Sequence, residues 1–368
     1  MSREVISDAE GACLIILFIS GSTLALPTAS AAGSDLWLAI LLALIISIPI
    51  YMLYSRLLSL YPGKDMFDIL QDTFGIFFGK AISLIFVWYA FHLGVLVLRE
   101  QADYLITLSL PETPMLVPII IMTFLCILGV KAGIEALGRW SKLFVILNGP
   151  IPSIIILLLI PEMELTNIVP ILFNGVRPLI HGVFEALVVP FGDVAIFLMV
   201  FFALKSKKSS YKVFIWGLLF GGILIFGVSL AEILILGDDL YLSTYYPNHS
   251  VASKVSTVEI LHRLEVIAIV ATITSTFLKA TICLLAACNG IAKIFGFKDY
   301  RFIVVPVALL MCNFSYFIYD SLMEKVKWTK EVAVYYFFPF EIIVPIIILI
   351  IVEMRKGRLS KVKTENRR

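Results

Sequence analysis

The sequence predicts an all-α integral membrane protein of about ten transmembrane helices, arranged as two inverted halves of five. Three observations predict it. The 368 residues are 60% hydrophobic and only 15% charged, whereas a soluble domain needs roughly a quarter charged residues to cover its surface. The charges are clumped between apolar runs of the length that spans a hydrocarbon core about 30 Å thick. Two of those runs are interrupted by glycine and proline at comparable depth.

The runs predict span 1 over about residues 9–31, span 2 over 36–59, span 3 over 80–105, span 4 over 115–134 and span 5 over 142–160. An irregular stretch, 161–178, then precedes span 6 over 180–204. Span 7 follows over 212–236, span 8 over 264–291, span 9 over 302–319 and span 10 over 335–352. One permease-like domain results, with a first repeat at about 9–160, a second at about 180–352 and a basic tail at 353–368. The first ten residues carry Glu4, Asp8 and Glu10 beside Arg3, which is no basic leader, so span 1 is expected to be retained. Of the 29 Lys and Arg, 21 fall in the segments that are cytoplasmic if both termini are inside. That bias predicts cytoplasmic termini, with the basic tail as an ordinary topology anchor.

Span 1 is interrupted at Gly21-Ser22-Thr23 and span 6 at Pro190-Phe191-Gly192-Asp193. Proline removes a backbone donor and glycine a side-chain constraint, so both places favour unwinding. Unwound backbone at membrane depth must be buried or line a cavity, and matched breaks in two halves point to a transporter-type binding site. With five spans per half, the second half is necessarily inverted. Short amphipathic segments at 65–78 and about 251–263 sit where such an inverted repeat places counterparts.

Ionisable residues inside the membrane are costly and normally face a cavity or a partner. His92, Asp193 and Lys279 fall near mid-span, and Asp193 with Lys279 is expected to form a pair or a substrate-responsive gate. Gly21, Ser22 and Thr23 offer freed backbone groups, including N–H groups of the following half-helix suited to a carboxylate. Thr272, Ser275 and Thr276 are candidate hydroxyl ligands, although such hydroxyls commonly bond back to their own helix. Glu185, Glu232, Glu265 and Glu341 also lie within or near apolar runs. At Arg99, Glu100 and Asp103, mutual pairing and snorkelling to the interface are expected. The five cysteines, all inside apolar runs, read as small core residues. The histidines form no zinc motif, and no P-loop, nucleophile elbow or catalytic triad order is present, so no enzyme is expected. The aromatics read as lipid-facing or interfacial rather than as base-stacking platforms, so no nucleic acid is expected.

Several stretches, taken in order, resemble the B subunits of spore nutrient-germinant receptors (the GerAB/GerKB type), a branch of the amino acid–polyamine–organocation superfamily. They are Ser20-Gly21-Ser22-Thr23-Leu24-Ala25-Leu26-Pro27, Tyr61-Pro62-Gly63-Lys64, Val189-Pro190-Phe191-Gly192-Asp193, Phe277-Leu278-Lys279 and the basic tail. The resemblance covers nearly the whole chain. It implies a LeuT-like 5+5 fold and a small nutrient ligand, such as an L-amino acid, held between spans 1, 3, 6 and 8. It further implies A and lipoprotein C partner subunits in the spore inner membrane. The ligand-binding candidates are then Gly21, Ser22, Thr23, His92, Gly192, Asp193, Thr272 and Lys279. Two departures stand out. Asp193 occupies a position where many relatives have glutamate. Asn148-Gly149-Pro150 occupies the level at which some proton-coupled permeases of the superfamily carry a lysine. No cofactor is implied. A permease coupled to protons or sodium, and a conduit gated by partner subunits, remain open alternatives.

Overall fold

The computed structural model describes residues 4–204, 206–255 and 264–365, less the side chains of Ser22, Lys207, Val255, Leu264 and 356–365. Among the described residues ten main helical segments stand out: α1 (Asp8–Thr23), α2 (Leu36–Leu60), α3 (Met66–Leu108), α4 (Leu116–Ala132) and α5 (Ile134–Leu158). The second series is α6 (Val176–Met199), α7 (Lys207–Ser243), α8 (Leu264–Phe295), α9 (Val304–Phe317) and α10 (Leu322–Arg355). Among the described residues, seven helical segments are long and apolar enough to cross a membrane, and α4 and α9 are shorter apolar helices. Large apolar side chains stand exposed along one face of α4 (Ile120, Ile121, Phe124, Leu128) and of α7 (Trp216, Phe220, Ile223). In water such faces would drive aggregation; in a bilayer they are the lipid contact.

The two halves run in opposite directions. Ile6, just before α1, donates its N–H to Ala203 O at 3.0 Å, beyond the end of α6. The 3-10 segment that follows α1 (Ser30–Asp35) packs on the start of α6 (Val176–Ala186). Start therefore meets end at each face, as inverted repeats require. The face that carries the start of α1 is called the amino-terminal face below, and the opposite one the far face. Across the bundle, α3 and α1 pack on α8, and α1 and α2 pack on α7.

Both spans are interrupted, but not at the predicted glycines: Gly21, Ser22 and Thr23 are still α-helical, and Gly192 keeps helical dihedrals (φ −67°, ψ −38°). The α1 helix stops at Thr23 and does not resume as an α-helix; residues 24–29 are irregular and lead into the 3-10 segment. In α6, the α-helix ends at Ala186, Val189 leaves helical geometry (φ −118°, ψ 113°), and a 3-10 stretch continues over Gly192–Met199. Proline at 190 denies the helix a donor there.

The predicted start of span 10 is displaced. That helix begins at Leu322, capped by the Ser321 side chain accepting from Glu324 N. Its first turns, rich in Lys and Glu, look like a loop in sequence, yet Lys325 is buried and pairs with Asp103 at 3.3 Å. The amphipathic segment at 65–78 is the first part of α3, set off by Gly75 at φ 80°. Of its proposed counterpart, a short helix covers Pro247–Val255, and 256–263 lie outside the described residues. The cluster Arg99, Glu100 and Asp103 does not snorkel. All three are buried; Arg99 pairs with Asp103 at 3.1 Å and donates to Tyr316 O at 2.9 Å, tying α3 to the end of α9.

Candidate ligand site

Asp193, brought inward by the unwound part of α6, meets Lys279 of α8: Nζ lies 2.6 Å from Oδ2, and both side chains are 1% exposed. The pair joins residues 86 apart in sequence. Lys279 Nζ also sits 5.0 Å from the centre of the Phe18 ring on α1, a cation–π contact. Gly21 is what allows α1 this close, because a Cβ there would lie 3.1 Å from Ser275 O and 3.2 Å from Lys279 Cβ. The Gly21 carbonyl accepts from Thr276 Oγ1 at 3.0 Å, so α8 supplies a donor to the broken end of α1.

Glu341 completes this centre, and the sequence reading left it out of the site. It follows Pro339 in a π-type turn of α10 and is fully buried. Its Oε1 accepts from Tyr89 Oη at 3.1 Å and its backbone carbonyl from Tyr54 Oη at 2.6 Å. Tyr51 Oη donates to Phe191 O at 2.9 Å, inside the α6 break. All three tyrosines are buried hydroxyl donors, Tyr51 and Tyr54 to loosened backbone and Tyr89 to the Glu341 carboxyl, which corrects the lipid-facing or interfacial reading for them. Such a role could be suspected from a tyrosine far inside an apolar span, since a buried hydroxyl must find a partner. Gly192 lets Glu341 approach, for a Cβ there would meet Glu341 Oε2.

The remaining candidates are placed differently. Thr272 Oγ1 is committed to Ala268 O on its own helix at 3.0 Å, and Thr23 Oγ1 to Ile19 O at 3.0 Å. His92 does not reach the centre. It is half-buried between α3 and α10, stacked on Trp88 at 5.5 Å and faced by Tyr336 and Trp328. Tyr89, about one turn earlier on the same helix, is the residue that reaches the centre. The side chain of Ser22 lies outside the described residues.

A cavity of about 330 Å³ opens on the far face of the two breaks. Thr23 and Leu26 to Ser30 line it from the α1 side, Glu185 and Val189 from α6, and Lys325 and Lys330 from α10. The N–H groups expected to receive an anion after the α1 break are partly claimed. Thr28 N donates to Tyr241 Oη at 2.9 Å and Ala31 N to Glu185 Oε2 at 3.0 Å. A small ligand would therefore meet acidic and basic side chains of the protein as well as backbone. On the amino-terminal face a second cavity, about 500 Å³, is lined by Asp65, Asp68, Asn289, Lys293 and Arg301 among others.

Inverted halves around broken helices, with a charged centre and a cavity beside it, define a multi-pass membrane protein with a transporter-type fold. Solved structures agree on the fold. A Na+-coupled sialic acid symporter in a substrate-bound outward-open state superposes with a TM-score of 0.59 at 11% identity, covering 90% of this chain and 76% of that one. MHP1, a nucleobase-cation-symport-1 family transporter, gives 0.58 at 12% identity over the same shares. A family model described as spore germination protein matches residues 5–323, and the chain belongs to that family. Spore germination protein KB of Bacillus subtilis (strain 168) is 28% identical over 370 residues, 99% of each chain. The putative spore germination protein YfkT of the same organism is 24% identical over 291 residues, 78% of this chain and 79% of that one.

Proposed function

We propose that this protein is the nutrient-sensing subunit of a germinant receptor. It binds a small nutrient, an L-amino acid, in the far-face cavity and passes the event to A and lipoprotein C subunits in the spore inner membrane. Both termini lie in the cytoplasm on this reading, so the cavity faces outward. The observation that carries it is the cavity beside the two breaks, whose lining includes both the acidic Glu185 and the basic Lys325 and Lys330. A zwitterion asks for one acid and one base in a mostly apolar pocket, with few polar groups fixing its orientation. Membership of the spore germination protein family supports the sensing role. The signal is differential affinity: a ligand shifts a two-state protein only as far as it binds one state better.

The test is a binding screen of the L-amino acids on purified protein in nanodiscs, followed by uptake assays in proteoliposomes. Saturable binding of one amino acid, weakened at least tenfold by Glu185→Gln and by Gly21→Ala, is the expected result. Binding of none of them sinks the amino-acid reading. Gradient-driven accumulation would make the protein a proton- or sodium-coupled permease instead of a sensor.

A further inference from the structure

The centre of the molecule has one polar problem that the ion pair does not solve. Asp193 Oδ2 is satisfied by Lys279, but Asp193 Oδ1 is buried with no hydrogen-bond partner, and so is Glu341 Oε2. Glu341 Oε2 fills the space where a Gly192 Cβ would stand, next to Asp193. Tyr89 Oη bridges Glu341 Oε1 at 3.1 Å and Asp193 O at 3.5 Å, so the two carboxyl groups are neighbours. Two facing carboxylates cannot both ionise cheaply in a dry interior, and sharing one proton is the usual solution.

We infer that Glu341 and Asp193 form a binding site for one exchangeable proton, carried on Glu341 Oε2 and donated to Asp193 Oδ1. One hydrogen then satisfies both orphaned oxygens and leaves one negative charge opposite the Lys279 ammonium. The surroundings suit a proton rather than a metal cation, because Lys279 already holds the cationic position beside Asp193. The other groups facing Glu341 are Tyr51 and Tyr54 from α2 and Tyr89 from α3. Glu100 of α3 lies within electrostatic range of Asp193 and Lys279. The proton latches the π-type turn of α10 onto α6 at Gly192, where only glycine leaves room for the carboxyl group. Its release would set two like charges against each other across that contact. Since α6 and α10 also wall the far-face cavity, the latch and the cavity share their moving parts.

The experiment is infrared spectroscopy of the purified full chain in nanodiscs near neutral pH, comparing wild type with Glu341→Gln and Tyr89→Phe. Glutamine is nearly isosteric and offers an N–H where the acid offered its O–H, so the variant should fold. The expected result is a carbonyl-stretch band of a buried, protonated carboxylic acid that is lost in Glu341→Gln. In Tyr89→Phe the same band should shift, because the hydroxyl donated to Oε1 is gone. A wild-type minus Glu341→Gln difference spectrum without such a band overturns the inference, as does a Glu341 band that does not move in Tyr89→Phe. Bands of other buried acids such as Glu100 and Glu232 cancel in the difference. The readout needs no nutrient, so failure of the binding screen and failure of the proton site are separate results.

Discussion

Two acid–base clusters, one buried at the centre and one only partly buried near the amino-terminal face, are built from similar residue types and solve opposite problems. In the second, Asp65 caps α3: Oδ1 accepts from Asp68 N at 3.0 Å and Oδ2 from Asn289 Nδ2 at 2.9 Å. Asn289 gives its other hydrogen to Met199 O at 2.9 Å, and Lys293 holds both oxygens of Asp68 at 2.7 Å. Each carboxylate oxygen there has a partner, and three elements, α3, α8 and the end of α6, are pinned together. At the centre, Asp193 Oδ1 and Glu341 Oε2 lack partners, and the backbone around them is unwound. A saturated network rigidifies, whereas an unsaturated one leaves more than one arrangement open. The amino-terminal cluster is thus the lock and the central cluster the part free to change state.

The sharpest way to break this contrast is Lys279→Met. Removing one partner of a buried pair leaves an uncompensated charge and costs about 3–5 kcal/mol. The melting midpoint in detergent should fall steeply and recover in the Lys279→Met, Asp193→Asn double variant. A single variant as stable as wild type would show that the pair contributes nothing to holding α6 on α8.

Next in size is the pH response of the lock. Burial, helped by the neighbouring Asp68 and opposed by Lys293 and Asn289, pushes Asp65 from its ordinary 3.8 up to about 6. A carboxyl raised on folding contributes stability that is full below its unfolded value and is lost as pH rises through the folded one. Wild type should therefore lose roughly 2–3 kcal/mol between about pH 4 and pH 6, at 1.36 kcal/mol per pKa unit. Asp65→Asn should flatten that part of the profile. An unchanged slope would place the titration elsewhere.

The smallest effect is expected at the far face. The Tyr241 hydroxyl accepts from Thr28 N at 2.9 Å and donates to Thr28 O at 3.1 Å, a double clasp on the irregular segment after α1. Tyr241→Phe should cost about 1 kcal/mol, seen as faster amide exchange confined to residues 24–31. Faster exchange near Asp65 as well would mean that the two faces are not separable.

Much of this was legible in the sequence because the membrane penalises charge so heavily. Asp193 and Lys279 lie 86 residues apart, yet each had to find a partner in an apolar environment, and the predicted pair is the one formed. That spans 1 and 6 break, just beyond Thr23 and at Val189, was signalled by the nearby Gly21 and Pro190, because glycine and proline loosen a helix. Glu341 was visible as an acid in an apolar run, but nothing local said that α10 bends at Pro339 to aim it at the α6 break. His92 looked as suitable as any mid-span residue, and only the packing of α10 placed it among Trp88, Trp328 and Tyr336 instead of at the centre. The charged start of α10 was hidden because burial of Lys325 depends on Asp103, far away in the chain.

By itself, then, the sequence determined the membrane class, the number of helices, the inverted halves with their two breaks, and the charges that had to meet. All of these follow from local apolarity, glycine and proline chemistry, and the cost of charge in hydrocarbon. The tertiary structure alone decided which face of each helix is inward, which tyrosines serve as donors, and that two carboxyl groups meet across Gly192. In water the polar side of a helix betrays its outer face. In lipid both faces are apolar, and only packing tells them apart.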